Sequence, residues 1–326
     1  MKTRHLLLTL ICILLSLISE AQEIGFPIIR NYTSKEFNAT PQVLSAIQDS
    51  RGVMYFGCGS SLLEYDGVTW RNISSNNHTR FLDFAIDKSG KIYVSALDEF
   101  GYLKIDKKGN TLYQSLTHLI TDTTHKIGFV WTVELTSKFV YFITYDAIFQ
   151  YSPITEKLLT FIPDANDGFL DGFVFKDILY IQLSKKGLLK IEDGELKHAV
   201  QSEFFRDKNI FRTALPFNAN TMLIPTRTEG LCLYQPEKDT TPKPIALSNK
   251  DFLLDNNIYN ATLFQKDNFV LASINKGALL LDKQGEILQQ YNESNLLQNN
   301  TVRVVSIDTS QNIWLGLDNG ISKAEH

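Results

Sequence analysis

The sequence has few of the residues that metal binding, catalysis or nucleic-acid binding requires. It contains 3 Cys and 6 His among 326 residues, and its formal net charge of −4 comes without any block of Lys or Arg. Proteins that bind nucleic acid usually carry a concentrated basic patch, so that class is not expected. The His residues never pair at the spacing of zinc ligands, and residues 164–168 match a calcium loop only in part. We therefore predict no metal and no cofactor.

Long apolar runs are scarce as well. The only one covers residues 6–18, after a basic start and before the small-residue end at Ala21. It is shorter than the roughly 20 residues that span a bilayer, and the pattern is typical of a secretory signal peptide. We predict a signal peptide over residues 1–21, an exported and periplasmic protein, and a single domain over residues 22–326. The alternative is an uncleaved segment that tethers the protein to the inner membrane.

Two cysteines remain after the predicted cleavage, Cys58 and Cys232. Export would permit a disulfide between them. They belong to different sequence repeats, however, so we predict two buried free thiols.

The sequence also has no convincing helical period. Short runs of Val, Ile, Phe and Tyr recur between turn residues instead, which indicates an all-β protein. The second strands of the repeats are centred on Tyr55, Tyr93, Tyr141, Tyr180, Leu223, Val270 and Trp314, with spacings of 38, 48, 39, 43, 47 and 44 residues. The third strands start independently at Ser61, Gly101, Ala147, Gly187, Gly230, Gly277 and Gly320. Asp residues in the turns, such as Asp49 and Asp87, are predicted to be structural, because Asp begins such turns by accepting backbone hydrogen bonds.

Four strands in each period of about 43 residues predict a seven-bladed β-propeller. The seventh repeat ends after three strands, whereas an unassigned strand over residues 26–32 precedes the first repeat. We predict that this N-terminal strand becomes the outer strand of the last blade, because an open sheet edge is thereby avoided.

The repeats resemble a known family. Residues 43–57 (VLSAIQDSRGVMYFG), residues 63–71 (LEYDGVTWR) and residues 308–322, which include IWLG, are similar to bacterial two-component regulator propeller repeats. The opening residues 26–71 resemble the subgroup whose propellers precede a triple-tyrosine domain. The resemblance is sharp in repeats one, two and seven, and repeats three to six keep only the spacing.

The resemblance implies an exported sensor whose output comes from a histidine kinase or DNA-binding domain beyond a membrane helix. The sequence contains no kinase boxes, receiver domain or helix-turn-helix. We therefore expect either a stand-alone periplasmic propeller or the sensory part of a shortened regulator. Its expected partners are a small polar or oligosaccharide ligand and a membrane-bound histidine kinase or regulator. The alternatives are a propeller glycoside hydrolase or lyase and a protein-interaction scaffold, and we predict no enzymatic activity.

Propeller geometry indicates where a ligand would bind. Loops from fourth to first strands and from second to third strands emerge on one face, and aromatic rings with Arg and carboxylate groups suit a sugar-like ligand. The predicted ligand-binding residues are Arg80, Trp131, Asp171, Arg212, Arg227, Tyr259 and Arg303. Farther out the same loops bring Asp98, Glu99, Phe100, Tyr145 and Asp318. The competing interpretation is that Trp131 and Tyr259 pack between blades.

Overall fold

The computed structural model describes residues 27–73, 79–122, 126–200, 203–206, 213–226, 229–245 and 257–326. The predicted signal peptide lies outside these residues. Within them, no helix has the length and apolar character needed to cross a membrane.

The protein is a seven-bladed β-propeller of four-stranded antiparallel sheets, which confirms the predicted fold. The first strands, which line the channel, are β2 (Val43–Gln48), β6 (Phe81–Ile86), β10 (Thr132–Leu135), β14 (Phe169–Phe175), β18 (Leu215–Asn218), β22 (Ile258–Phe264) and β26 (Val302–Ile307). The second strands are β3 (Met54–Cys58), β7 (Ile92–Ala96), β11 (Val140–Ile143), β15 (Ile178–Leu183), β19 (Thr221–Thr226), β23 (Asn268–Ser273) and β27 (Ile313–Leu317).

The outer half of each blade is equally regular. The third strands are β4 (Ser61–Tyr65), β8 (Glu99–Ile105), β12 (Ile148–Ser152), β16 (Gly187–Glu192), β20 (Gly230–Tyr234), β24 (Ala278–Leu281) and β28 (Gly320–Glu325). The fourth strands are β5 (Trp70–Ile73), β9 (Thr111–Ser115), β13 (Lys157–Phe161), β17 (Glu195–Val200), β21 (Lys243–Pro244), β25 (Ile287–Tyr291) and, in the last blade, β1 (Ile28–Tyr32). The described helices are α1 (Ser34–Phe37) and the 3₁₀ turns Thr117–Leu119, Glu203–Phe205 and Glu293–Asn295.

The N-terminal strand closes the ring as predicted. β1 pairs antiparallel with β28, from Ile28 opposite Glu325 to Tyr32 opposite Ile321. Tyr32 is buried and stacks on Trp314, with ring centroids 5.7 Å apart. The first and last parts of the described chain therefore share one sheet, and no outer edge is missing from the last blade.

The core consists of hydrophobic clusters between neighbouring blades. Each of the seven seams has one, including the closure seam, where Phe56, Tyr65 and Trp314 belong to the same cluster as Tyr32. Cys58 and Cys232 are buried free thiols in blades one and five, as predicted. Each blade thus buries its faces against its neighbours, which makes stability depend on an unbroken ring.

The turn Asp residues have the structural role that the sequence predicts. Asp49 Oδ1 accepts hydrogen bonds from the backbone N–H groups of Arg51 and Val53, at 2.8 and 3.1 Å. Asp87 makes the equivalent bonds in blade two, and Asp308 makes them in blade seven. These carboxylates stabilise the turns through their hydrogen bonds to the backbone.

Candidate functional site

A repeated irregularity of the backbone shapes the channel. Near the start of the first strand, five blades have a β-bulge against the second strand, in β2, β6, β14, β22 and β26. A bulge leaves extra residues unpaired and re-aims their side chains. The side chains at these unpaired positions line one cavity: Leu44, Leu82, Asp171, Tyr259 and Arg303.

This central cavity has a volume of about 470 Å³, which is within the range of small-molecule sites. All seven blades contribute to its wall. The remaining lining residues are Gln42, Arg80, Asp83, Phe84, Phe129, Trp131, Thr132, Val133, Glu134, Gly172, Thr213, Ala214 and Asn260.

One side of the central cavity carries a chain of polar contacts. Arg303 makes a two-pronged ion pair with Asp318, at 2.7 and 3.1 Å, and its guanidinium lies 5.3 Å from the ring centre of Tyr259. The ion pair raises the pKa of Arg303 and lowers that of Asp318. Gln42 donates to the same carboxylate, and the Arg80 guanidinium donates to the amide oxygen of Gln42. These contacts join blades six, seven, one and two.

The opposite side carries carboxyl groups from blades two, three and four. Asp171 is buried and accepts hydrogen bonds from the Thr132 hydroxyl and the Gly172 N–H, at 3.0 and 2.9 Å. Burial, together with the charges of Asp83 and Asp171, raises the pKa of Glu134 well above its usual value. Among the described residues, no group of three or more His, Cys, Asp or Glu side chains is arranged to hold a metal ion.

Asp83 links neighbouring blades. Its Oδ2 accepts a hydrogen bond of 2.9 Å from the N–H of Val133 in the next first strand. Asn260 makes the same bond to Val305 in blade seven, at 3.1 Å. Burial raises the pKa of Asp83 to about 7, although its backbone hydrogen bonds lower it.

Asp83→Asn should therefore make stability less dependent on pH. An acid whose pKa is raised on folding keeps its proton in the folded state when the unfolded chain has lost it, so stability falls as pH rises from about 4 to about 7. Because the side chain is partly solvated, we expect Asp83→Asn to stabilise the protein at pH 8 by about 1–2 kcal/mol and to have little effect at pH 4. Urea unfolding of the wild type and Asp83→Asn across this pH range measures the difference in their free energies of unfolding. Asn260→Asp, the converse change in blade six, should introduce a similar pH dependence, and parallel pH profiles for all three proteins would contradict the prediction.

Two aromatic side chains form a ledge at the cavity wall. Phe129 and Trp131 stack with ring centroids 4.6 Å apart and an interplanar angle of 12°, and each is 39% exposed. Their segment is fixed because Asp98 exchanges hydrogen bonds with Gly128, through its backbone N–H at 2.7 Å and its carboxylate at 2.8 Å. Trp131 therefore does not pack between blades.

A second cavity of about 530 Å³ lies at the seam of blades one and two. Gln42 and Arg80 line both cavities. The remaining residues around the second cavity are Thr40, Gly59, Ser60, Thr79, Leu97 and Asp98. Gln42 and Arg80 therefore form the boundary between the two cavities.

The predicted site residues are placed as follows. Arg80, Trp131, Asp171, Tyr259 and Arg303 line the central cavity, whereas Arg212 and Arg227 lie outside the described residues. Of the residues expected farther out, Asp98 lines the second cavity, Asp318 pairs with Arg303, and Tyr145 is exposed but lines neither cavity.

The prediction that Glu99 and Phe100 lie at the binding face is wrong, because neither side chain lines a cavity. β8 begins at Glu99, two residues before the predicted start. Phe100 therefore packs in the seam between blades two and three, and Glu99 is held within blade two. Phe100 is fully buried against Phe142, with ring centroids 4.5 Å apart, and Glu99 accepts a hydrogen bond of 2.6 Å from the Ser115 hydroxyl.

Sequence reasoning also missed Gln42, Asp83, Phe129 and Glu134 as lining residues. The alternation of aromatic residues at 129 and 131 was a usable signal, because alternate residues of an extended segment share a face. No sequence signal marks the bulges.

The fold has relatives among solved structures. No protein-family model matches the sequence, and no curated protein does. The extracellular domain of a putative hybrid two-component system from B. thetaiotaomicron matches with a TM-score of 0.69 and 19% identity, over 92% of this chain and 40% of that one. The chain shares the propeller fold of this domain. The comparison thus confirms, at the level of fold, the resemblance drawn from the repeat motifs.

Two further solved structures are similar to the chain. A second putative hybrid two-component system from B. thetaiotaomicron has an extracellular domain that matches with a TM-score of 0.67 and 17% identity, over 92% of this chain and 42% of that one. A streptogramin B lyase matches with a TM-score of 0.61 and 10% identity, over 91% and 96% of the two chains. The chain spans about two fifths of the extracellular domains. Because the fold also supports a lyase, function has to be argued from the cavities.

Proposed function

We propose that this propeller is the exported, periplasmic sensor part of a bacterial signalling system and binds a small polar or oligosaccharide ligand in the central cavity. The observation that carries the proposal is the exposed Phe129–Trp131 ledge, which faces a cavity that also holds Arg80 and Arg303. Sugar rings stack on aromatic faces, and guanidinium groups hydrogen-bond planar acceptors. The likeness to extracellular domains of two-component systems supports export and a membrane-bound histidine kinase or regulator as partner.

The arrangement of the carboxyl groups supports binding without turnover. Glycosidases generally need two carboxyl groups free to act on the scissile bond. Asp83 holds the backbone of Val133, and Asp171 holds Thr132 and Gly172. The side chain of Glu134, alone of these three, makes no hydrogen bond to a described residue. One free carboxyl is insufficient for the two-carboxyl mechanism, so we infer a non-catalytic role.

A ligand screen tests this function. The purified domain is heated with neutral and acidic oligosaccharides derived from bacterial, plant and animal polysaccharides, and each sugar is afterwards analysed by mass spectrometry. At a hundredfold excess over Kd, a ligand adds about 2.7 kcal/mol of stability, so the melting temperature should rise by several degrees with the sugar unchanged. Cleavage of a sugar that is lost in Glu134→Gln would establish an enzyme instead. Absence of any stabilising sugar would refute the ligand class.

A further inference from the structure

Arg80 differs from Arg303, the other described arginine of the central cavity. The charge of Arg303 is neutralised by Asp318. Arg80 donates to the uncharged amide of Gln42, and its Nε is buried without a hydrogen-bond partner. No carboxylate among the described residues forms an ion pair with Arg80; the nearby Asp318, whose pKa the Arg80 charge helps to lower, already pairs with Arg303. A partly buried cation that has no carboxylate of its own therefore lines both cavities, and its buried Nε–H is unpaired.

A partly buried guanidinium that has no ion-pair partner favours an anionic ligand. Burying a charge without a counter-ion is costly, and Arg binds carboxylate and sulfate oxygens through two parallel hydrogen bonds. Two of the three carboxyl groups across the cavity oppose this preference only weakly, and the third, Asp171, accepts hydrogen bonds from the Thr132 hydroxyl and the Gly172 N–H. Burial raises the pKa values of Asp83 and Glu134, which reduces their negative charge near neutral pH.

The shape of the site favours a chain rather than a compact molecule. The central cavity offers the Phe129–Trp131 ledge, and the second cavity is lined by Thr40, Ser60 and Thr79. The Thr40 and Thr79 hydroxyls donate to backbone carbonyl groups, so toward a ligand they can act as acceptors. Arg80 lines both cavities, so a ligand that occupied both could contact its guanidinium.

We propose that the ligand is an acidic oligosaccharide, an extended chain whose carboxylate or sulfate group pairs with Arg80 while a neighbouring sugar ring stacks on Trp131. This inference rests on the proposed function and adds the charge and the length of the ligand. The shared chemistry is an oxyanion, which a uronic acid or a sulfate ester can supply.

The test compares each acidic oligosaccharide with its neutral counterpart. The probes are trigalacturonate and its methyl ester, a glucuronate-containing tetrasaccharide and its carboxyl-reduced form, and a sulfated galactan trisaccharide and its desulfated form. Calorimetric titrations use the wild type, Arg80→Gln, Arg80→Lys and the control Arg30→Gln. Arg30 lies in the exposed part of β1, away from both cavities, and its replacement makes the same charge change.

We expect at least one acidic probe to bind about tenfold or more tightly than its neutral counterpart, and that preference should disappear in Arg80→Gln. Arg80→Lys should keep part of it, because the charge remains while the second hydrogen bond is lost, and Arg30→Gln should keep all of it. The uronate and sulfate pairs then show which oxyanion is recognised. Equal binding of acidic and neutral probes would overturn this inference but leave the proposed function intact. An unchanged preference for the acidic probe in Arg80→Gln would do the same. If Arg80→Gln does not fold, Arg80→Lys takes its place in this comparison. Failure of every probe to bind would overturn this inference, and it would overturn the proposed function as well only if no sugar of the wider screen stabilised the protein.

Discussion

Deleting residues 22–33 should destabilise the protein by about 5 kcal/mol or more. The deletion removes β1, so the last blade loses its outer strand along the whole length of β28. It also removes Tyr32 from an aromatic cluster in which the ring contacts Trp314, Trp70 and Tyr65. Loss of a buried aromatic side chain alone costs about 3–5 kcal/mol. The melting temperature should fall by roughly 10 °C or more, as measured by calorimetry.

Single replacements in β1 separate closure from general damage to the strand. Tyr32→Ala should account for most of the loss, because its side chain is buried, whereas Ile28→Ser should change stability by less than about 0.5 kcal/mol, because Ile28 is 70% exposed. A truncated protein with the melting temperature of the wild type would show that the ring does not need this strand.

Trp131→Ala should weaken the binding of a cavity ligand about 5- to 150-fold with little change in stability. Stacking on an aromatic side chain contributes roughly 1–3 kcal/mol, a range taken from nucleobases. The stability effect should stay below about 1 kcal/mol, because the indole is exposed and stacks on Phe129 at the cavity wall. Titration of a stabilising oligosaccharide, together with urea unfolding of the free protein, measures both quantities.

Tyr145→Ala is the matched control for this prediction. Tyr145 is similarly exposed but lines neither cavity, so its replacement should leave ligand affinity unchanged. If Trp131→Ala instead cost about 3–5 kcal/mol of folding stability, the indole would be a core residue and the site assignment would be wrong.

The sequence predicted the fold well because each blade repeats the same local physics. Asp49, Asp87 and Asp308 mark tight turns, and the buried aromatic or aliphatic centre of each second strand recurs at a nearly constant interval. Closure was also predictable, since a three-stranded last repeat and an unassigned first strand complement each other. These signals depend only on neighbours in sequence and on counting strands.

The site was harder to predict because it depends on which side chains the first strands turn toward the channel. The bulges that expose Tyr259 and Arg303 add unpaired residues without a turn signature. Phe100 was misplaced because its strand begins earlier than the Gly at position 101 suggested. The roles of Asp83 and Glu134 depend on contacts with neighbouring blades. Asp83 accepts its hydrogen bond from Val133, 50 positions along the chain, and the charges that raise the pKa of Glu134 belong to Asp83 and Asp171.

Tryptophan fluorescence tests the central claim, that the ligand occupies the central cavity, most directly. Of the three tryptophans, Trp314 and Trp70 pack in the closure cluster, and Trp131 lines the cavity. A stabilising oligosaccharide should shift or quench the emission of the wild type, because it displaces water from the Trp131 indole. Trp131→Phe should still bind that sugar by calorimetry, since a ring remains, but its emission should not respond. An identical emission change in both proteins, or none in the wild type at saturation, would contradict binding in the central cavity.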